Sequence, residues 1–470
     1  MKELLKKFMG FSLGPVIGAF ISFITVPITT YFISPSEFGK ASMFTVIQGL
    51  VATFVYLGID QSYTREFNYI SDKKKLFQNA LIVPIAFSVI VGILLLFFSR
   101  DFSRFLFNSG KYTNITVLFV IMVIFMIIER FILLSIRMNE RALEYSFFSV
   151  ILKLIIFILT LIYIFNGRRD FLTIVYSNIF GQIAGDIILL IKYRGLFVFS
   201  SNWFDRKLVK RMIIFGLPLI VSASLNNLLN TTDRFFLRGF SNYNELGIYT
   251  AALKIAAVLQ LIQTSFTTFW TPTAYRWNKE GKNIEYFNFM SDIVLLIFTV
   301  LFFCILQFKK YIVLILSSQY SDAQYVAGLL LLPIILYTLS ETSTLGIVFS
   351  GKSYYNVFVS IIAFVPNVIL NFLFVPNYGT RGAALATGIS YMLFCFSRTY
   401  FSRKEGFTID FKVQSIVIII FLIAAIFSSL RTRWSFYVID LLFVLCVLIQ
   451  FGTLSKIVKI KKNPRKWDFK

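Results

Sequence analysis

The sequence predicts an all-α polytopic membrane protein of about fourteen transmembrane helices, two six-helix lobes followed by two C-terminal helices. Three observations predict it. Runs of about 20 apolar residues recur along the whole chain, the length that crosses a hydrocarbon core of roughly 30 Å. Of 470 residues, 57% are hydrophobic and 15% are charged, against roughly 25% charge in a soluble protein. The start of the chain also resembles its middle, which sets the two lobes. The apolar runs are continuous, so the short alternating strands of a membrane barrel are excluded.

The first span, 9–33, follows MKELLKKFMG. That opening resembles the charged region of a signal peptide, but the apolar run is too long and no small-x-small cleavage site follows, so it is read as a span. Further spans follow at 42–63, 78–99, 115–136, 147–165, 171–191, 212–233, 247–273, 291–308, 326–350, 356–376, 381–401, 413–430 and 436–455. An even number puts both termini on one side. On this map the termini and the loops on their side hold about 30 Lys and Arg, and the opposite loops about 13, so both termini are expected in the cytoplasm. The same bias accounts for the net charge of +23 without nucleic acid. Every loop is short, which leaves no room for a soluble domain. The expected domains are 1–205, the N-terminal lobe; 206–405, the second lobe; and 406–470, the last two spans with a basic cytoplasmic tail.

The repeat is carried by Glu37-Phe38-Gly39 and Glu245-Leu246-Gly247, an offset of 208 residues. Each opens a helix with the same signals: Ser34 as cap, Pro35 in the first turn and Glu37 reaching back; then Asn242 and Glu245 at the same spacing. Arg65 in SYTREF and Arg276 in TAYRWN close the next span of each copy. The offset covers six spans, so the copies share orientation, as in parallel transporter repeats.

Polar residues within spans share faces. At 100° per residue, Ser222, Asn226, Asn230 and Asp233 form one stripe, flanked by Asn227 and Arg234. Gln260, Gln263, Thr264, Thr267 and Thr271 form a second. Interhelical hydrogen bonding and cavity lining both explain such stripes. Charges in a membrane are costlier. Arg130, Lys153, Lys254 and Arg234 lie in or near spans, with Glu129, Asp186 and Glu341 as the main acids. Structural pairing, for instance Lys153 with Asp186, is one reading. A basic cavity for an anionic substrate is the other, with Arg suited to phosphate as a planar fork. Arg234 either lines that cavity or marks its outer rim.

The openings of the two lobes, SPSEFGKASMF with LGIDQSYTREF, and GLPLIVSASLNNLLNTTDRFFLRGFSNYNELGIYTAALKI with FTTFWTPTAY, resemble the polysaccharide transporter family. Its members include the O-antigen and capsular-repeat flippases. It belongs to the superfamily that also holds the multidrug and toxic-compound extruders (MATE) and the lipid II flippase. The most specific elements are Asp233-Arg234 closing the seventh span and Glu245-Leu246-Gly247-Ile248-Tyr249 opening the eighth. The resemblance covers about residues 8–405; the last two spans match in position and count only. It implies a MATE-like fold in the bacterial inner membrane and alternating access of the two lobes. The implied substrate is an undecaprenyl-diphosphate-linked oligosaccharide of O-antigen or capsule type, moved from the cytoplasmic to the outer leaflet. No cofactor is implied; a proton or sodium gradient is the candidate coupling. Membrane lipids and the polymerase and chain-length machinery are candidate partners. The candidate transport residues are Arg234, Asp233, Lys254, Arg130, Lys153, Asn226, Asn230, Gln260, Arg65 and Arg276.

Two alternatives keep the same fold, a lipid II flippase and a multidrug exporter; extruders for cationic drugs want acids in the cavity, where this chain has more buried cations. A membrane polymerase or glycosyltransferase is the enzyme alternative. It usually needs a substantial outer loop or carboxylates at the membrane edge for acid–base work. The chain contains no histidine, which removes His-based catalysis and His metal ligands. Cys304, Cys395 and Cys446 fall in apolar runs without metal spacing and are read as small core residues.

Overall fold

The computed structural model describes residues 2–199, 203–352, 354–432 and 434–462, with the side chains of 2–12, 221, 222, 461 and 462 outside the described set. The side chain of Ser222, part of the first polar stripe, is among those left out. The described residues are helical or irregular, with no strand among them. In order, the helices are α1 (Lys2–Phe32), α2 (Pro35–Val55), α3 (Ile59–Glu66), α4 (Lys73–Phe97), α5 (Ser99–Phe107), α6 (Thr113–Met138), α7 (Ala142–Phe165), α8 (Phe171–Lys192) and α9 (Arg206–Phe240). They continue as α10 (Tyr243–Lys279), α11 (Ile284–Val313), α12 (Gln324–Ser343), α13 (Leu345–Phe349), α14 (Tyr354–Lys404), α15 (Lys412–Ser429), α16 (Trp434–Ile449) and α17 (Phe451–Lys462).

Among the described residues, twelve helices are long and apolar enough to cross a membrane, or thirteen when α16 and α17, bent by 53° to one another, count as one span. The expected count of fourteen differs chiefly because α14 is continuous over 51 residues. At 1.5 Å per residue that is about 77 Å, more than twice a hydrocarbon core. α14 in fact joins two helices across Gly379, whose φ of 52° and ψ of −129° are non-helical. The break falls between the predicted spans 356–376 and 381–401.

Three boundaries also move. The second span begins at Pro35 and stops at Val55, because Leu57 and Gly58 take positive φ values of 49° and 70° and turn the chain into α3. The loop at 99–114 contains α5, which buries Ser103, Leu106 and Phe107 and turns its other face outward. α9 runs through Arg234 to Phe240 and the turn comes at Ser241 and Asn242, so the Asn-rich stretch is helical throughout.

The chain forms two compact units, 1–228 and 229–470, with the division inside α9. In the first, α7 packs on α1 and α8, and α6 packs on α4 and α8. In the second, α12 is the hub and packs on α10, α11, α14 and α15. Its run Leu329–Leu332, with Ile335, Leu336 and Leu339, is buried on every side, as an all-apolar helix must be. Ser291, Thr342 and Gln414 tie α11, α12 and α15 together: Gln414 donates to Ser291 Oγ at 2.7 Å, and Ser291 and Thr342 hydroxyls meet at 2.5 Å. An aromatic cluster closes one end, with Trp270 stacked on Phe266 and edge-on to Trp277 and Phe287. Cys395 and Cys446 are buried as expected, but Cys304 is exposed on α11, because an apolar span has an outward face as well as a core.

Candidate functional site

The helix openings set the geometry. Asn242 caps α10 as predicted, its side chain accepting from the N–H of Glu245 at 2.9 Å. Ser34 occupies the cap position of α2, but its side chain makes no cap bond. Neither glutamate needs its carboxylate for its own helix. Glu37 Oε2 accepts from the N–H of Phe171, the first residue of α8, at 3.0 Å and also pairs with Lys40 at 2.6 Å. Glu245 Oε2 accepts from the N–H of Thr380 at 2.9 Å, just past the break in α14. Each acid therefore caps a different helix in its own unit, where the helix dipole favours negative charge.

A dense polar cluster lies in the second unit around Asp233, which is 3% exposed. Tyr249 O–H donates to Asp233 Oδ2. Thr387 O–H donates to Oδ1 at 2.5 Å and Asn371 N–H donates to it at 3.0 Å. Asn367 donates to Thr387 Oγ1 at 3.0 Å, and Asn371 donates to the Asn367 carbonyl at 2.9 Å. One turn earlier on α9, Asn230 accepts from Tyr391 O–H at 2.6 Å. Three helices, α9, α10 and α14, thus converge on one carboxylate whose donors are all neutral. The carboxamide oxygen of Asn371 is buried and accepts nothing. One carboxylate, one free amide oxygen and two hydroxyls make a hard, oxygen-rich site suited to a proton or a small monovalent cation. Among the described residues no group of three or more His, Cys, Asp or Glu side chains is placed to hold a metal.

Arg234 follows Asp233 but turns about 100° around the helix. It makes no ion pair with Asp233, and its buried Nε has no hydrogen-bond partner. Adjacent helical residues do not face each other, so the acid takes its hydrogen bonds from Tyr249, Thr387 and Asn371 and not from the neighbouring base.

The remaining predicted residues separate. Arg130 lies in the first unit and pairs with Asp60 at 2.7 Å. The pairing of Lys153 with Asp186, given as one of the two readings, is absent from the described ion pairs: Gln182 bridges Asp186 at 3.0 Å and Glu129 at 2.6 Å instead. Lys153 is exposed and packs its stem over Gly18. Asn226, Lys254 and Gln260 are exposed. In the stripe of α10, Thr264, Thr267 and Thr271 give their hydroxyls to carbonyls one turn back on their own helix, a local satisfaction that periodicity does not reveal. Asn227, flanking the first stripe, donates to Thr53 Oγ1 at 2.7 Å. Arg65 lies over the Phe215 ring at 4.3 Å, and Arg276 is 3.9 Å from Glu280.

A family model described as polysaccharide biosynthesis protein matches residues 4–277, more than half of the chain. The chain belongs to the polysaccharide biosynthesis protein family. Among relatives of this family member, the capsular polysaccharide biosynthesis protein CapF of Staphylococcus aureus is 26% identical over 260 residues. That match covers 54% of this chain and 65% of CapF, just under two thirds of the relative's length. The fold is shared more widely. The lipid II flippase MurJ, in an inward closed conformation, superposes with a TM-score of 0.70 at 15% identity, covering 97% of this chain and 99% of MurJ. An inward-facing multidrug resistance MATE transporter superposes with a TM-score of 0.61 at 14% identity, covering 85% of this chain and 97% of that one. The MATE-like fold expected from the resemblance is the fold observed.

Sequence reasoning missed Asn367, Asn371, Thr387 and Tyr391, and it placed Tyr249 in the motif that opens the eighth span without assigning it to the site. One signal was available: Asn367 and Asn371 stand four apart, on one face of a span. It also missed Arg398, which pairs with Glu341 at 2.7 Å with both side chains nearly buried.

Proposed function

We propose that this protein flips undecaprenyl-diphosphate-linked oligosaccharide repeat units from the cytoplasmic to the outer leaflet of the bacterial inner membrane. Both termini are cytoplasmic in this reading, and transport proceeds by alternating access of two lobes. The observation that carries it is the coincidence of a polysaccharide biosynthesis family match at 4–277 with a flippase-type fold over 97% of the chain. The internal repeat supports it, since parallel repeats are a common transporter architecture. Arg234 and Lys254 serve the diphosphate. Asp233, with the free oxygen of Asn371, is the coupling site: it binds a proton or a sodium ion in one state and releases it in the other. The protein itself catalyses no covalent step.

The test is complementation across a panel of flippase-deficient strains, including one depleted of its lipid II flippase. Restored surface polysaccharide in a capsule or O-antigen strain supports the proposal. Rescue confined to the lipid II strain assigns the substrate to peptidoglycan precursors instead. Normal export by both Arg234→Ala and Lys254→Ala removes the cationic-cavity element.

A further inference from the structure

The junction of α3 with the start of α9, inside the first unit, forms a basic pocket that the transport reading leaves unused. The first two turns of α9 carry Arg206, Lys207, Lys210 and Arg211, and its first turn holds no acid. Asp205, just before the helix, accepts from the N–H groups of Lys207 and Leu208 and also faces Lys75, so its single charge offsets the four cations that follow only in part. A long apolar run, MIIFGLPLIV, follows at once.

Four contacts fix α3 against this basic start. Gly58 sits so close to Gly216 that a Cβ there would lie 2.3 Å from the Gly216 carbonyl oxygen. Ser62 O–H donates to the Met212 carbonyl at 2.7 Å. Arg211 pairs with Glu66 at 3.2 Å. The Arg65 guanidinium covers the Phe215 ring. Leu57, a branched residue at φ 49°, holds the turn that allows these contacts; such backbone persists only where its surroundings over-determine it. The result is a pocket of about 430 Å3 lined by Arg65, Lys207, Lys210, Arg211, Ile214 and Phe215. Glu66 is committed to Arg211 and Asp205 to the helix start and Lys75, and among the described residues Arg65, Lys207 and Lys210 make no ion pair. Its remaining walls, Ile214 and Phe215, are apolar.

We propose that this pocket is a preformed site for the phosphate of an anionic glycerophospholipid. Arg65, Lys207 and Lys210 hold the phosphate, and the acyl chains lie along Ile214 and Phe215. A free anion has no use for the apolar wall, and a zwitterionic lipid would add its own cation to the four basic residues of the lining. Basic clusters beside a span are the usual address for acidic headgroups. The inference goes beyond the transport reading and does not depend on it, because binding is read on protein that is not transporting.

The experiment is native mass spectrometry of the full detergent-purified chain titrated with phosphatidylglycerol or with phosphatidylcholine of the same acyl chains. Phosphatidylglycerol is expected to bind selectively, and about fivefold more weakly for each lysine removed in K207Q and K210Q. The double variant should fall to the phosphatidylcholine level, while K279Q/K282Q, exposed lysines elsewhere, retains the preference. Equal binding of the two lipids, or unchanged binding by K207Q/K210Q, overturns the proposal. Displacement by millimolar inorganic phosphate makes this a free-anion site, and selective displacement by undecaprenyl diphosphate makes it a substrate site. Either outcome also overturns it.

Discussion

Glu245 caps Thr380 across 135 residues of chain, its carboxylate accepting the first N–H after the break in α14. Glu37 does the same for Phe171 across 134 residues. The two glutamates are 208 positions apart and the two capped amides 209. A repeat that the sequence shows as a shared Glu-x-Gly pattern is therefore a shared hydrogen bond, made separately in each unit. Removing the carboxylate leaves a helix start without its acceptor. Glu245→Ala and Glu37→Ala should each lower stability by about 1–2 kcal/mol, read as a fall in the melting temperature of detergent-purified protein. Glu245→Gln, which keeps an acceptor but loses the charge, should cost less than Glu245→Ala.

Gly379 should not tolerate alanine. Its backbone lies where a side chain is strained, and a Cβ would stand 2.7 Å from Glu245 Oε2. A loss of about 1–3 kcal/mol is expected, and most of it should persist in a Glu245→Ala background. A loss that vanishes there would assign the cost to the clash and not to the backbone.

Glu341 and Arg398 form a nearly buried ion pair between α12 and α14. Arg398→Ala strands Glu341 and should cost about 3–5 kcal/mol, whereas a paired Glu341→Leu/Arg398→Met variant should recover most of it. Thermal unfolding of Glu341→Leu, Arg398→Met and the paired variant gives the coupling directly.

Asp233 should separate stability from transport. Asp233→Asn keeps hydrogen-bonding groups among Tyr249, Thr387 and Asn371 but cannot carry a charge. Export should be lost in Asp233→Asn, with insertion and melting temperature close to wild type. Asp233→Ala should lose both export and stability, because three buried donors are left unmet. Wild-type export by Asp233→Asn would remove Asp233 as the coupling site.

Asp205 gives a pH test at the start of α9. It accepts from the N–H groups of Lys207 and Leu208 at 3.0 and 3.1 Å and faces Lys75 at 3.6 Å. The Leu208 N–H first, then Lys75 and the Lys207 N–H, holds its carboxyl below the ordinary carboxylate range. Its folded-state pKa is thus depressed, so its contribution is fully present above the unfolded value of about 4 and disappears as pH falls through the folded value. Asp205→Asn should melt lower than wild type at pH 7, and the two curves should converge as the pH drops below about 4.

The sequence by itself determined the membrane class, the position of most spans, the repeat and the family resemblance. These rest on signals local in the chain: apolar runs, caps, and a Glu-x-Gly pattern found twice, 208 residues apart. It also placed Asp233 and Asn230 on one face of a helix, because a face needs only the 3.6-residue period. What that face meets was decided by tertiary structure alone. Tyr249, Asn371 and Thr387 reach Asp233 from 16, 138 and 154 residues away, and no local pattern encodes which buried donor answers which acceptor. For the same reason the pairing of Lys153 with Asp186, one of the two readings, is not among the described ion pairs, and the pairing of Arg130 with Asp60 was unforeseen. A buried charge must be matched, but it is packing that selects the match. The break at Gly379 lies between the two kinds of knowledge. A glycine between two apolar runs marks a turn, yet only the approach of Glu245 shows why a larger residue has no place there.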